Sequence, residues 1–135
     1  MLEVVAAIVE DERGHILLAQ RPIGKKFAGE WEFPGGKLEA GEGLEQALKR
    51  ELLEELHLAV DVRAKLGVYS HNYDSGKVIL HVFVVLPLSH PIPTKDVQNF
   101  EWFLPSQIDP EILLEADRPA LHDYLSQAKG RSKFK

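Results

Sequence analysis

Residues 35–58 read GGKLEAGEGLEQALKRELLEELHL, and no other stretch limits the fold and chemistry of this chain so tightly. A glycine-rich turn feeds an amphipathic helix, and Glu51, Glu54 and Glu55 occupy its last turn and a half. Residues at i, i+3 and i+4 share one side of a helix, so the three carboxylates converge. At about 100° per residue, Glu51 and Glu55 share a bearing with Leu44 and Leu48, the apolar side, instead of opposing it. Negative charge at a helix C-terminus opposes the macrodipole by about 0.3–1 kcal/mol, and Glu51 repels Glu55. A solvated acidic face would keep every one of these penalties. A divalent cation removes them, since magnesium takes one or two carboxylates, keeps several waters and completes its shell with phosphate oxygens. The spacing favours the metal reading over the solvated face.

With Gly36, Glu42, Arg50, Glu51, Leu52, Glu54, Glu55 and Leu58 in place, the stretch resembles the Nudix box, G-x5-E-x7-R-E-U-x-E-E-x-G-U with U apolar. A chance match has odds on the order of 10⁻⁸ per start position. One position departs: His57 stands where the box has glycine. That glycine suits a left-handed helix C-cap, and histidine enters positive φ more readily than most residues, at a cost of about 1 kcal/mol. The metal-ligand positions are intact. The resemblance covers nearly the whole chain and implies an α/β fold, the Nudix α/β/α sandwich with a mixed β-sheet between helices.

Composition narrows the class. A chain of 135 residues is the size of one domain, and 1–128 reads as a single domain followed by a basic, flexible tail at 129–135. The absence of cysteine excludes a disulfide framework, a thiolate zinc site and a cysteine nucleophile. A net charge of −5 argues against a stable nucleic-acid partner. The early apolar run at 4–9 is far too short to span a membrane and lacks a basic flank, so a cytoplasmic location is the default expectation.

Taken in order, residues 3–10 read as a buried strand and 15–21 as a second, joined by the turn signal Asp11-Glu12-Arg13-Gly14 into an expected hairpin. Residues 23–30 read as a surface loop, and Trp31-Glu32-Phe33 leads into Pro34-Gly35-Gly36. After the helix, 59–69 alternates as a half-buried strand, NYDSGK at 72–77 is a hairpin turn signal, and 78–86 is the most β-prone run, expected at the centre of a sheet. His81 within it reads as a core residue rather than a ligand. Residues 87–96 hold three prolines and form a loop, 99–104 is the last strand with Trp102 as a core anchor, and 105–115 is a connector with a helical turn. A final helix starts at Asp117-Arg118-Pro119 and runs to about Ala128, with Asp117 suited to its N-cap.

The resemblance implies water attack on a nucleoside triphosphate, releasing the monophosphate and pyrophosphate. Its cofactor is Mg2+, with Mn2+ able to substitute, and its partner a small nucleotide. It places the metal on Glu51, Glu54 and Glu55 with the Gly36 backbone, supported by Gly35, Glu42 and Arg50. The general base is Glu54 first and Asp96 second, and Asp96 is also a metal ligand by alignment from Glu101-Trp102. Arg21 and Lys37 then face phosphate, Phe33 faces the nucleobase, and Asp117 stands where MutT-like members carry an asparagine that reads guanine. Taken alone, Arg21 is equally an exposed strand-end charge and Lys37 a solvated lysine, Phe33 is more readily a core residue, Glu42 a helix-start acid and Asp96 a solvated loop carboxylate. The EFPGGK stretch points to the MutT-like branch. The leading expectation is therefore 8-oxo-dGTP or dGTP hydrolysis for nucleotide-pool sanitation, a DNA-repair role. Cytidine triphosphates follow closely, because NudG-like members carry aspartate at the Asp117 position. RNA 5′-pyrophosphohydrolysis, a nucleotide-sensing module without turnover, and a plain acidic interaction domain are the remaining readings. A monomer and a homodimer are equally compatible with the sequence.

Overall fold

The computed structural model describes residues 1–95, 97 and 99–133. The chain runs β1 (Leu2–Val9), β2 (Ile16–Gln20), β3 (Trp31–Glu32), β4 (Gly35–Lys37), α1 (Leu44–Leu56), β5 (Val60–Tyr73), β6 (Gly76–Pro87), β7 (Asn99–Phe103) and α2 (Arg118–Lys133). Three 3-10 turns, Pro105–Gln107, Pro110–Ile112 and Glu115–Asp117, link β7 to α2. The last helix thus carries helical backbone past Ala128, where the sequence suggested its end.

Strand periodicity builds the layers. In β1 every residue from Val5 to Val9 is buried, and successive side chains point to opposite faces. Val5, Ala7 and Val9 join Ala47, Leu48, Leu52 and Leu56 of α1 in one core, while Ala6 and Ile8 join Ala120, Leu121 and Tyr124 of α2 in another. Strand β2 divides the same way, Leu17 and Ala19 toward α1 and Ile16 and Leu18 toward α2. An α/β/α sandwich follows from that alternation.

The strands form a mixed four-stranded sheet, β4-β1-β6-β5, and a three-stranded sheet, β3-β2-β7. β1 runs parallel to β6 and antiparallel to β4. The expected hairpin of the first two strands is not formed. β4 and β6 take both edges of β1, so β2 meets it only at the Glu10–Ile16 bridge and pairs instead with β3 and β7. A second departure concerns Gly35 and Gly36, which form an edge strand on β1 instead of a turn. A Cβ at Gly35 would overlap the Val5 carbonyl oxygen and lie 2.8 Å from Ala6 Cα, so the strand approaches β1 this closely only because Gly35 lacks a side chain.

Strand β6 is central, as its β-branched run suggested, and pairs with β5 across a tight turn that closes at Tyr73 and Gly76. His81 is buried, with Nε2 3.1 Å from Glu3 Oε1. Trp102 is half-buried against the α1-side core. Among the described residues no helix is long and apolar enough to cross a membrane.

Candidate active site

Helix α1 begins at Gly43, whose extended backbone (φ −75°, ψ 160°) leaves its N–H to the Gln46 side chain at 3.3 Å. The helix ends on His57 in the left-handed conformation (φ 50°, ψ 31°). There the His57 N–H donates to the Leu53 carbonyl at 3.0 Å and the Leu58 N–H to that of Leu52 at 3.1 Å. The position that the Nudix box gives to glycine is therefore a left-handed cap here too, built with histidine.

With Leu48 and Leu52 buried, the helix turns Glu51 and Glu55 toward a cleft of about 750 Å³ that both residues line. Glu51 is 15% exposed, and its carboxylate lies against Gly36. A Cβ at Gly36 would overlap the Glu51 carboxylate carbon and lie 2.7 Å from Oε1. The glycine strand and the first glutamate are one unit. Lys37, exposed, lines the same wall.

Arg50 holds the acidic side chains together. Its Nε and Nη2 donate to Glu42 at 2.7 and 2.9 Å, Nη1 to Glu51 at 2.9 Å and to Glu54 at 3.1 Å, and Nη2 to the Lys37 carbonyl at 3.1 Å. These bonds push the guanidinium pKa up, the Glu42 bond most of all, and hold the Glu42 carboxyl below the usual range. Glu42 also accepts the Glu39 backbone N–H at 3.0 Å. Glu54 differs from its two neighbours: it is 57% exposed and lies outside the cleft wall. Among the described residues, no three His, Asp or Glu side chains already converge as a metal-holding group. Asp96 lies outside the described residues.

The cleft is also lined from β2, β3 and the turn before α2. Arg21 donates from Nη1 to both Glu32 oxygens at 3.1 and 3.2 Å and from Nε to the Lys26 carbonyl at 2.7 Å. Phe33 is 2% exposed, a core residue that also lines the cleft. Its backbone N–H donates to Asp117 Oδ2 at 2.9 Å, joining residues 84 apart in sequence. Asp117 is 4% exposed, and burial, reinforced by the Glu32 charge, pushes its carboxyl up to about 8. Burial likewise raises the Glu32 pKa, opposed by Arg21.

Sequence reasoning passed over Glu32 and Tyr73. Both line the cleft, and the Tyr73 hydroxyl accepts the Ala116 N–H at 3.1 Å beside Asp117. The one available signal was an acid set between two aromatics, Trp31-Glu32-Phe33.

A NUDIX domain profile matches residues 2–124. The chain is a Nudix hydrolase. Over 135 residues it is 41% identical to the CTP pyrophosphohydrolase of Escherichia coli (strain K12), covering 97% of this chain and 96% of that protein. It is 42% identical over 101 residues to the 8-oxo-dGTP diphosphatase of the same organism, covering 75% and 78% of the two chains. Among solved structures, that of the E. coli ORF135 protein superposes with a TM-score of 0.85 at 36% identity, covering 97% of this hydrolase and 93% of that chain.

Proposed function

We propose that this hydrolase is a magnesium-dependent nucleoside triphosphate pyrophosphohydrolase that releases a nucleoside monophosphate and pyrophosphate, with cytidine triphosphates as leading substrates. The observation that carries the reading is one cleft lined by two chemistries, the carboxylates Glu51 and Glu55 of α1 together with Phe33 and the buried Asp117. That arrangement suits a ligand with phosphates at one end and a base at the other.

The residues present fit a hard divalent cation. The Glu51 carboxylate lies against Gly36, a position that a side chain could not enter without displacing it, and Glu55 lines the same cleft. Glu51 and Glu55 would hold the ion with the Gly36 backbone, and Mn2+ would substitute. Bound there, magnesium neutralises the anhydride oxygens and makes a water more acidic. The chain supplies the rest. Arg50 orients Glu51 from behind and is bonded in turn by Glu42. Glu54 is the first choice to accept the proton of the attacking water; it is bonded to Arg50 and lies outside the cleft wall, so it must turn toward the cleft to do so. Asp96 is the second choice for that role. Lys37 presents positive charge to the polyphosphate, Arg21 would do so on release from Glu32, and Phe33 packs against the base.

Asp117 decides the base. Burial pushes its carboxyl up to about 8, which favours the protonated form, and that form offers one donor and one acceptor. The cytosine edge matches with an N3 acceptor and an N4 amine donor, whereas guanine presents two donors, N1–H and N2–H, that ask for an ionised carboxylate. Coverage of 97% of this chain by the CTP pyrophosphohydrolase similarity supports the same order. Hydrolysis of 8-oxo-dGTP is the second reading, supported by the 42% identity to an 8-oxo-dGTP diphosphatase.

The test is the ratio of kcat/KM for CTP to that for 8-oxo-dGTP across pH 6.5–9.5. The ratio should exceed one at neutral pH and fall as pH rises through about 8 in the wild type, and be flat in Asp117→Asn. A ratio below one throughout keeps the mechanism and overturns the base assignment. Glu54→Gln should lower kcat by about 100-fold or more while nucleotide binding stays within a few-fold. Unchanged turnover would remove Glu54 from the role of base. Nucleotide binding without turnover of any triphosphate in the wild type would turn the reading to a sensor.

A further inference from the structure

The C-terminal end of α1 carries three glutamates and the negative pole of the helix, and its last carbonyls need partners. The cap of His57 and Leu58 satisfies those of Leu53 and Leu52. Those of Glu55 and Leu56 are met from outside the helix, by the loop that follows β6. The Thr94 hydroxyl donates to the Glu55 carbonyl at 2.8 Å, and the Ile92 backbone N–H donates to the Leu56 carbonyl at 2.7 Å.

The same loop is fastened at its start by two bonds to Ala59. The Leu88 N–H donates to the Ala59 carbonyl at 2.8 Å, and Ser89 Oγ accepts the Ala59 N–H at 3.2 Å. At its far end Val97, 5% exposed, enters the α1-side core and the cleft wall. Among the described residues of this loop, the Thr94 side chain therefore grips the main chain of Glu55, whose carboxylate lines the cleft. Ile92 grips through its backbone, which no substitution other than proline removes. Thr94 is half-buried and grips through a group that can be deleted.

We propose that Thr94 is a positioning residue for the divalent-cation site: its hydroxyl fixes the Glu55 main chain and thereby the bearing of the Glu55 carboxylate. The inference rests on the metal reading of Glu51 and Glu55. Without the hydroxyl, the last turn keeps the His57 cap and the Ile92 bond to Leu56 but loses the bond at Glu55 itself, and the Glu55 carboxylate reaches the ion from a wider range of directions. Groups behind the ligands of a metal site commonly change its affinity by ten- to a hundredfold.

The experiment is Mn2+ binding by electron paramagnetic resonance on the full chain, for wild type, Thr94→Val, Thr94→Ser, Ser89→Ala and Ile92→Ala, with folding of each checked by circular dichroism. Thr94→Val should bind Mn2+ about tenfold more weakly, and Thr94→Ser within about twofold of wild type. Ser89→Ala loosens the loop away from Glu55, and Ile92→Ala keeps the backbone donor, so both should match wild type. Turnover by Thr94→Val should recover as Mg2+ is raised to saturation, which general loosening of the fold would not produce. Equal Mn2+ affinity in folded Thr94→Val overturns the inference alone, as does an equal loss in Ser89→Ala. Absence of saturable Mn2+ binding by the wild type overturns the metal reading, and this inference with it.

Discussion

Two adjacent glycines exclude a side chain for different reasons, and alanine at each should fail differently. At Gly35 the new Cβ would overlap backbone, the Val5 carbonyl oxygen, with Ala6 Cα at 2.8 Å. Neither atom moves without shifting β4 off β1, where Ala6 pairs with Gly35, Val5 with Gly36 and Val4 with Lys37. Overpacking against backbone should cost about 3 kcal/mol. At Gly36 the overlap is with the carboxylate end of Glu51, which can rotate away. Driving Glu51 off its preferred rotamer costs about 0.5–1.5 kcal/mol, and the 2.9 Å bond from Arg50 to Glu51 is lost with it. Gly36→Ala should therefore fold, about 1–2 kcal/mol less stable, yet bind Mn2+ at least about tenfold more weakly and lose turnover in proportion. Urea unfolding ranks the two variants, and Mn2+ titration separates fold from site. Wild-type Mn2+ affinity in Gly36→Ala, or a larger stability loss there than in Gly35→Ala, would refute the reasoning.

Two further predictions concern stability. His57→Gly should stabilise the hydrolase by about 0.5–1 kcal/mol in urea, because glycine holds φ 50° without the strain that a side chain brings; a destabilised variant would contradict the cap. Asp117 has a folded-state pKa raised to about 8, so its contribution to stability is fully present below the unfolded carboxylate range and is lost as pH rises through about 8. The urea midpoint of Asp117→Asn, which keeps an acceptor for the Phe33 N–H, should fall less than that of wild type between pH 5 and pH 8. Parallel curves would place the Asp117 titration elsewhere.

The parts of this fold that were legible in sequence are those governed by local period. Helix α1 was readable because Leu44, Leu48, Leu52 and Leu56 recur at helical spacing, and the bearing of Glu51 and Glu55 followed from it. The hairpin expected from β1 and β2 failed on a non-local fact. Two apolar strands joined by a turn are a hairpin only if an edge is free, and β4 and β6 occupy both edges of β1. Burial of β1 on both faces is the mark of an interior strand, which the unbroken apolar run at 4–9 already carried. Strand β4 was hidden because glycine reads as a turn by propensity, while here close approach to Val5 makes glycine the residue a strand requires. Strand β5 runs on to Tyr73, past its readable alternation, because register shifts at Val62/Ala64 and Lys65/Gly67 break the period of two. Glu32 escaped notice for a related reason: Arg21 lies eleven residues away and Asp117 far beyond it, and only tertiary structure brings the three together.

The most direct test is hydrolysis of CTP, dCTP, 8-oxo-dGTP and dGTP followed by 31P NMR, with Mg2+ and with EDTA, for wild type and the Glu51→Gln, Glu55→Gln double variant. Wild type with Mg2+ should yield monophosphate and pyrophosphate, fastest from a cytidine substrate, with no product in EDTA and none from the double variant. Turnover that persists in EDTA, or in the variant lacking both cleft carboxylates, would contradict the assignment of the reaction to Glu51 and Glu55.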